Sequence, residues 1–282
     1  MNASQGFTFD FRPGTIAVGA GCVDRLGGAL DRRGYDRAML VSGRTVGTTP
    51  AVVDPIRAGL GDRLVAEFPE TTPAKTLGTA LAGVRLAREN DVDVIVAVGG
   101  GSTLDTSKVL SALSSHGTSS EETAEAAIET GTVPVAPDGD PLPIVAVPTT
   151  LAGADLSDIG GVTLTLDRGG SDVGSGDGLD DRPQSGGVSD SRLMPEALFY
   201  DAELYRTTPP SVLAASAMNG FDKAIETVYA NTATPITDGT AVRALRLLSR
   251  GLPALGAGDR DDETLHDAVV GTVLAQYGCS RP

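Results

Sequence analysis

Lysine is almost missing from this chain. Lys75, Lys108 and Lys223 are the whole complement beside 19 arginines, and the 22 basic side chains face 37 carboxylates, leaving a formal charge of −15. Nucleic acids and anionic membranes are gripped by clustered cations, so neither is an expected partner. Among the acids Asp outnumbers Glu 26 to 11. Short, strongly hydrated carboxylates with few ammonium groups suit high salt, where self-repulsion is screened; a GC-rich genome is the alternative source of the arginine bias. Scarcity also makes Lys108 and Lys223 informative, because a chain that avoids lysine has little use for it as filler.

Other residues are scarce too. The two cysteines, Cys22 and Cys279, are too far apart in sequence for a metal-type cluster and too few for a disulfide framework, which fits a reducing interior. Histidine occurs only at 116 and 266. No apolar run reaches membrane-spanning length, and the opening MNASQGFTFDFRPG lacks the basic and apolar regions of a signal peptide. A cytoplasmic protein is expected.

What is present points to an α/β protein. The 282 residues are 40% hydrophobic, with 36 glycines and only 4% aromatics, a composition of tight turns and small-residue packing. Continuous apolar runs at 15–18, 38–41, 64–68, 92–98 and 144–147 read as buried parallel strands. Helical periodicity fills 22–33, 50–59, 74–89 and 103–114, and 120–143 reads as a helix followed by a loop. This alternation predicts a doubly wound, mostly parallel sheet over residues 1–200. The stretch from Asp167 to about 191, DRGGSDVGSGDGLDDRPQSGGVSD, has little to bury and reads as a mobile acidic insertion. Its GSGDGLD is a single copy of a calcium-type repeat that needs stacked neighbours. After a short strand at 198–201 the pattern turns helical at 209–230, 236–250 and 260–277, predicting a second, all-α domain over 201–282.

Two segments carry chemistry. In VDVIVAVGGGSTLDTSK, residues 92–108, a buried strand runs through Gly99, Gly100 and Gly101 straight into a helix, the geometry that brings backbone amides against a diphosphate. Ser102 and Asp105 have the spacing of a capping pair. The G-x-G-x-x-G fingerprint is absent, and Gly19-Ala20-Gly21 fails it as well. In IVAVPTTLAG, residues 144–153, Thr149 and Thr150 sit at a strand's carboxyl end, where α/β sheets gather ligands. A third segment, SAMNGFDKAIETVYA at 216–230, reads as a helix capped by Thr208, with Pro209 in its first turn. Its expected apolar stripe is Leu213, Met218, Phe221, Ala224, Ile225 and Val228; its polar stripe is Ser216, Asn219, Lys223 and Glu226. That stripe is either a wet face, with Lys223 and Glu226 an ordinary (i, i+3) pair, or the lining of a site.

GGGSTLDTSK at 99–108, VPTTLAG at 147–153, MPEALFYDAEL at 194–204 and MNGFDKAIETVYA at 218–230 together resemble the iron-containing alcohol dehydrogenase superfamily, closest to its maleylacetate reductase-like branch. The resemblance implies a dehydroquinate synthase-like α/β domain binding NAD or NADP, then a helical domain that reads as incomplete at its C-terminus. Hydride would pass in the cleft between them. Gly99 to Ser102 with Asp105 would hold the pyrophosphate, Thr149 and Thr150 would line the cofactor, and the 218–230 helix would face a small carbonyl or alcohol. Metal-dependent members place an Asp and, four residues on, a His on that helix; here Asn219 and Lys223 stand there, so no metal is expected. Lys223, with Asn219 beside it, becomes the candidate proton donor. After the strand at 38–41, Ser42 and Arg44 stand where NAD-preferring members often carry an Asp, so NADPH should be accepted. The alternatives are a non-catalytic nucleotide-binding relative and a polyol-phosphate dehydrogenase. A homodimer is the default assembly.

Overall fold

The computed structural model describes residues 14–167 and 184–279. Its first strands are β1 (Thr15–Val18), β2 (Ala38–Gly43), β3 (Leu64–Thr71), β4 (Val94–Gly99) and β5 (Ile144–Pro148), and β8 (Ala197–Tyr200) comes late in the chain. Among the described residues these six form one parallel sheet in the order β1-β8-β5-β4-β2-β3. The sheet is buried on both sides, which explains runs without polar alternation. In β4, Val94, Val96 and Val98 enter one core cluster while Ile95 and Ala97 enter the other. Helices α1 (Leu26–Asp31) and α3 (Pro50–Leu60) fill the first cluster with Leu26, Leu30, Val52, Ile56 and Leu60. Helices α4 (Leu77–Glu89) and α5 (Gly101–Ser114) cover the other face with Leu77, Val84, Leu104 and Leu110, and α6 (Ser120–Thr130) adds Ala124 and Ala127. Each large apolar side chain contributes about 1.5–3 kcal/mol when fully buried.

The strand order fixes where a ligand belongs. From β2 the chain steps outward to β3, then returns to β4 and continues through β5 in the opposite direction, so the winding reverses between β2 and β4. Crevices open beyond the carboxyl ends of strands at such a reversal. Here those ends are Gly43 and Gly99.

The end of the expected acidic loop is a strand instead. Ser185–Ser189 (β7) pairs antiparallel with Ile159–Thr163 (β6), and Val188 and Val162 both enter the core. Its sequence, SGGVS, offers a single large apolar residue, too little for period-two reading to register. The remainder of that loop reading, residues 168–183, lies outside the described residues.

After β8 come α7 (Ala202–Arg206), α8 (Pro210–Tyr229), α9 (Pro235–Gly256) and α10 (Asp262–Cys279). Helix α8 is rotated from its expected setting. Its buried line is Leu213, Ala217, Gly220, Ala224 and Thr227, whereas Met218, Ile225 and Val228 are 52%, 41% and 49% exposed. Small side chains win the interior because they let helices close: a Cβ on Gly220 would stand 3.2 Å from Thr272 of α10. The expected cap also differs. Pro209 occupies the cap position, Pro210 opens the helix, and the Thr208 hydroxyl instead donates to the Thr149 carbonyl (2.8 Å).

Helix α9 makes an even tighter contact, for a Cβ on Gly251 would lie 2.9 Å from the backbone nitrogen of Ala268. No rotamer change relieves a clash with backbone. Gly251→Ala is therefore expected to destabilise the chain by about 1–2 kcal/mol in urea unfolding, overpacking outweighing the roughly 1 kcal/mol that alanine gains in a helix; a stabilised variant would contradict this seam.

Candidate active site

Everything at the sheet's carboxyl edge is arranged around the turn from β4 into α5. Gly99 has φ 151°, a region L side chains rarely adopt, and a Cβ there would stand 2.7 Å from the Thr103 hydroxyl. A Cβ on Gly100 would meet Thr150 at 3.1 Å. Gly100 occupies the cap position of α5 with no side-chain cap. The expected capping pair does not form: Asp105 turns away to Lys75, whose amine lies 2.8 Å from its carboxylate. Helix α5 thus begins on bare backbone with no side-chain cap at the sheet's carboxyl edge, and the positive end of a helix dipole there suits an anion.

Threonines close the edge. Thr149 donates its backbone N–H to the Gly99 carbonyl (2.9 Å) and is buried. Thr150 packs its side chain against Gly100. Sequence reasoning missed Thr71 and Thr103, whose buried hydroxyls share a hydrogen bond of 2.8 Å beside the turn. A strand end and a first helical turn that distant in sequence carry no local signature of such a pairing. Ser42 is buried at the end of β2, and Arg44, the first residue of α2 (Arg44–Gly47), is exposed with no hydrogen bond or ion pair from its guanidinium among the described residues.

The polar stripe of α8 meets this edge. Leu151 donates its N–H to the Ser216 hydroxyl (3.0 Å), and the Asn219 amide donates to the Ala152 carbonyl (2.6 Å). Ser216 and Asn219 therefore hold the segment that follows β5. One turn further, Lys223 pairs with Glu226 at 2.6 Å, the two side chains 36% and 41% exposed. Asn219 and Lys223 do not suit a metal: a protonated amine cannot ligate, and Asn219 offers only a weak, neutral amide oxygen. Among the described residues no group of three or more His, Cys, Asp or Glu could hold a metal ion.

Behind the turn is a buried charge. Lys108 is fully buried, and its amine donates to the carbonyls of Ala154 (2.6 Å) and Ile159 (2.8 Å). Burial pulls its pKa down from 10.5 to about 8, opposed by Asp105, Asp155 and Asp158. Asp155 is buried as well, with its carboxyl pushed up by desolvation and bonded by the Tyr200 hydroxyl. The scarcity of lysine marked residue 108; only the fold supplies its partners.

These features agree with what the chain is related to. Residues 13–174 match the model of the iron-containing alcohol dehydrogenase family. The chain belongs to that family. It is 28% identical over 269 residues to a maleylacetate reductase of Sphingobium indicum, covering 95% of this chain and 63% of that one. An iron-containing alcohol dehydrogenase of Corynebacterium glutamicum superposes with a TM-score of 0.72 at 25% identity, over 98% of this chain and 65% of that one. The sulfoacetaldehyde reductase of Bifidobacterium kashiwanohense, solved in complex with NAD+, shares the fold with a TM-score of 0.78 at 21% identity, over 97% and 67% of the two chains. The chain spans less than two thirds of the length of the curated relatives it matches. No helix among the described residues is long and apolar enough to cross a membrane.

The buried lysine gives a test of the interior. With its native pKa near 8 and its ordinary value of 10.5, Lys108 has released a proton that the unfolded chain still binds between those limits. Its contribution to stability therefore rises with pH across that window, by about 1 kcal/mol per pH unit. Urea unfolding from pH 8 to 9.5 should show that rise in the wild type relative to Lys108→Met, and parallel curves would place the amine in water.

Proposed function

We propose that the chain is an NAD(P)-dependent oxidoreductase, transferring hydride between nicotinamide and a small carbonyl or alcohol without a metal. The observation that carries this reading is the uncapped start of α5 behind Gly99 and Gly100, where a Cβ would crowd Thr103 or Thr150. The amides of Gly101 and Ser102 would face the diphosphate, with Thr149 and Thr150 beside it. Asp105 would act from behind, through Lys75. When bound, the nicotinamide supplies the hydride for carbonyl reduction or accepts it in the reverse direction.

The chain's own groups would handle the oxygen. Negative charge grows on the carbonyl oxygen as hydride arrives, so a donor must stand there. Asn219 keeps a second amide hydrogen after bonding Ala152, and Lys223, one turn along, is the proton donor. A maleylacetate reductase-like substrate leads, followed by simple alcohols, as the relatives' names suggest. A polyol phosphate would want a basic cluster, which the sequence does not supply around these segments. The ion pair that occupies Lys223 favours one other reading, a binding protein without turnover. A cytoplasmic location and a homodimer remain part of the proposal.

Two measurements test it. Lys223→Met should lower turnover about 100-fold with cofactor affinity unchanged, as loss of a general acid does; full activity in that variant removes Lys223 from the chemistry. Nicotinamide fluorescence should report NADPH binding to the wild type, and Arg44→Asp should weaken NADPH about tenfold while sparing NADH, since a carboxylate repels the 2′-phosphate that a guanidinium attracts. Equal losses for both dinucleotides would make Arg44 a plain surface residue.

A further inference from the structure

We propose that Lys108 is a positioning residue for the cofactor turn, acting through the segment 149–159 and touching no reacting atom. This rests on the reading of the glycine turn as a nicotinamide site. The segment is a strap fastened at both ends. Its inner end carries the site: Thr149 bonds Gly99, Thr150 closes on Gly100, Leu151 bonds Ser216, and Ala152 takes the Asn219 amide. Gly153, at φ 80°, then reverses the strap. Its outer end is a short 3-10 turn, Ala154–Leu156, followed by the entry to β6. Lys108 bonds the carbonyl of the first residue of that turn and the carbonyl of the first residue of β6, at 2.6 and 2.8 Å.

One side chain thus brackets the outer end. Because Lys108 lies two turns into α5, the helix that begins at the glycine turn also holds the strap that lines it. Lysine is well made for such a bracket, since several donors on one nitrogen at the end of a four-carbon stem reach two carbonyls five residues apart. Asp155, inside the bracket, is held in turn by Tyr200 on β8, so the sheet, α5 and the strap share one buried polar cluster. Full burial keeps Lys108 from the crevice itself. Its influence on a ligand at Gly100 has to pass along residues 153 to 150.

The test measures dissociation constants for NADH and NADPH, and amide hydrogen exchange across 150–159, in the wild type, Lys108→Met and Leu26→Ala. Leu26 is buried in the cluster on the opposite face of the sheet and serves as the control for lost stability alone. Below its melting temperature Lys108→Met should bind the dinucleotide at least tenfold more weakly and exchange faster across the strap, while Leu26→Ala binds as the wild type does. Affinity within twofold of wild type in folded Lys108→Met, or an equal loss in Leu26→Ala, overturns the proposal. If Lys108→Met does not fold, Lys108→Gln, which keeps two N–H donors on a shorter stem, is judged by the same criteria. A wild type that binds neither dinucleotide defeats the reading of the glycine turn, and exchange across 150–159 still decides whether Lys108 fastens the strap.

Discussion

A missing methyl group governs the site. Strand β4, buried on both faces, must leave the sheet and start a helix at once, and side chains from α5 and from the segment after β5 already crowd the turn. Only glycine leaves the backbone uncovered there, and only an uncovered backbone can present amides to a ligand. Thr150 stands so close to Gly100 that the loop after β5 is part of the same packing problem. The turn is therefore shaped by exclusion: main chain framed by the Thr103 and Thr150 side chains.

Most of the α/β layer was legible in the residues. Runs such as VIVAV have no alternation because both faces are dry, and that pattern survives any tertiary context. Elements that rest on long-range pairing were not legible. SGGVS becomes a strand only because β6 offers it a partner, and Asp105 leaves its capping position because Lys75, 30 residues away, offers a charge. Helix α8 shows the same competition. A stripe of large apolar residues predicts the buried face when burial is about area, but α10 approaches so closely that size itself selects alanine, glycine and threonine.

The polar stripe of α8 divides between packing and solvent. Ser216 and Asn219 tie down the loop after β5, while Lys223, one turn along, is paired with Glu226 near the surface. The uncapped start of α5 adds the positive end of its helix dipole at this edge. In a chain of charge −15, a backbone-based anion site has an advantage over one built from lysines: neighbouring carboxylates cannot neutralise it by pairing.

The outward line of Met218, Ile225 and Val228 gives ionic strength two opposing effects on this molecule. In dilute buffer the surplus of carboxylates holds copies apart. Concentrated electrolyte shortens that repulsion to a few ångströms and, with strongly excluded anions such as sulfate, strengthens the attraction between oily surfaces. Solubility should then pass through an optimum, set on one side by charge and on the other by exposed apolar side chains, the three that α10 left outside among them.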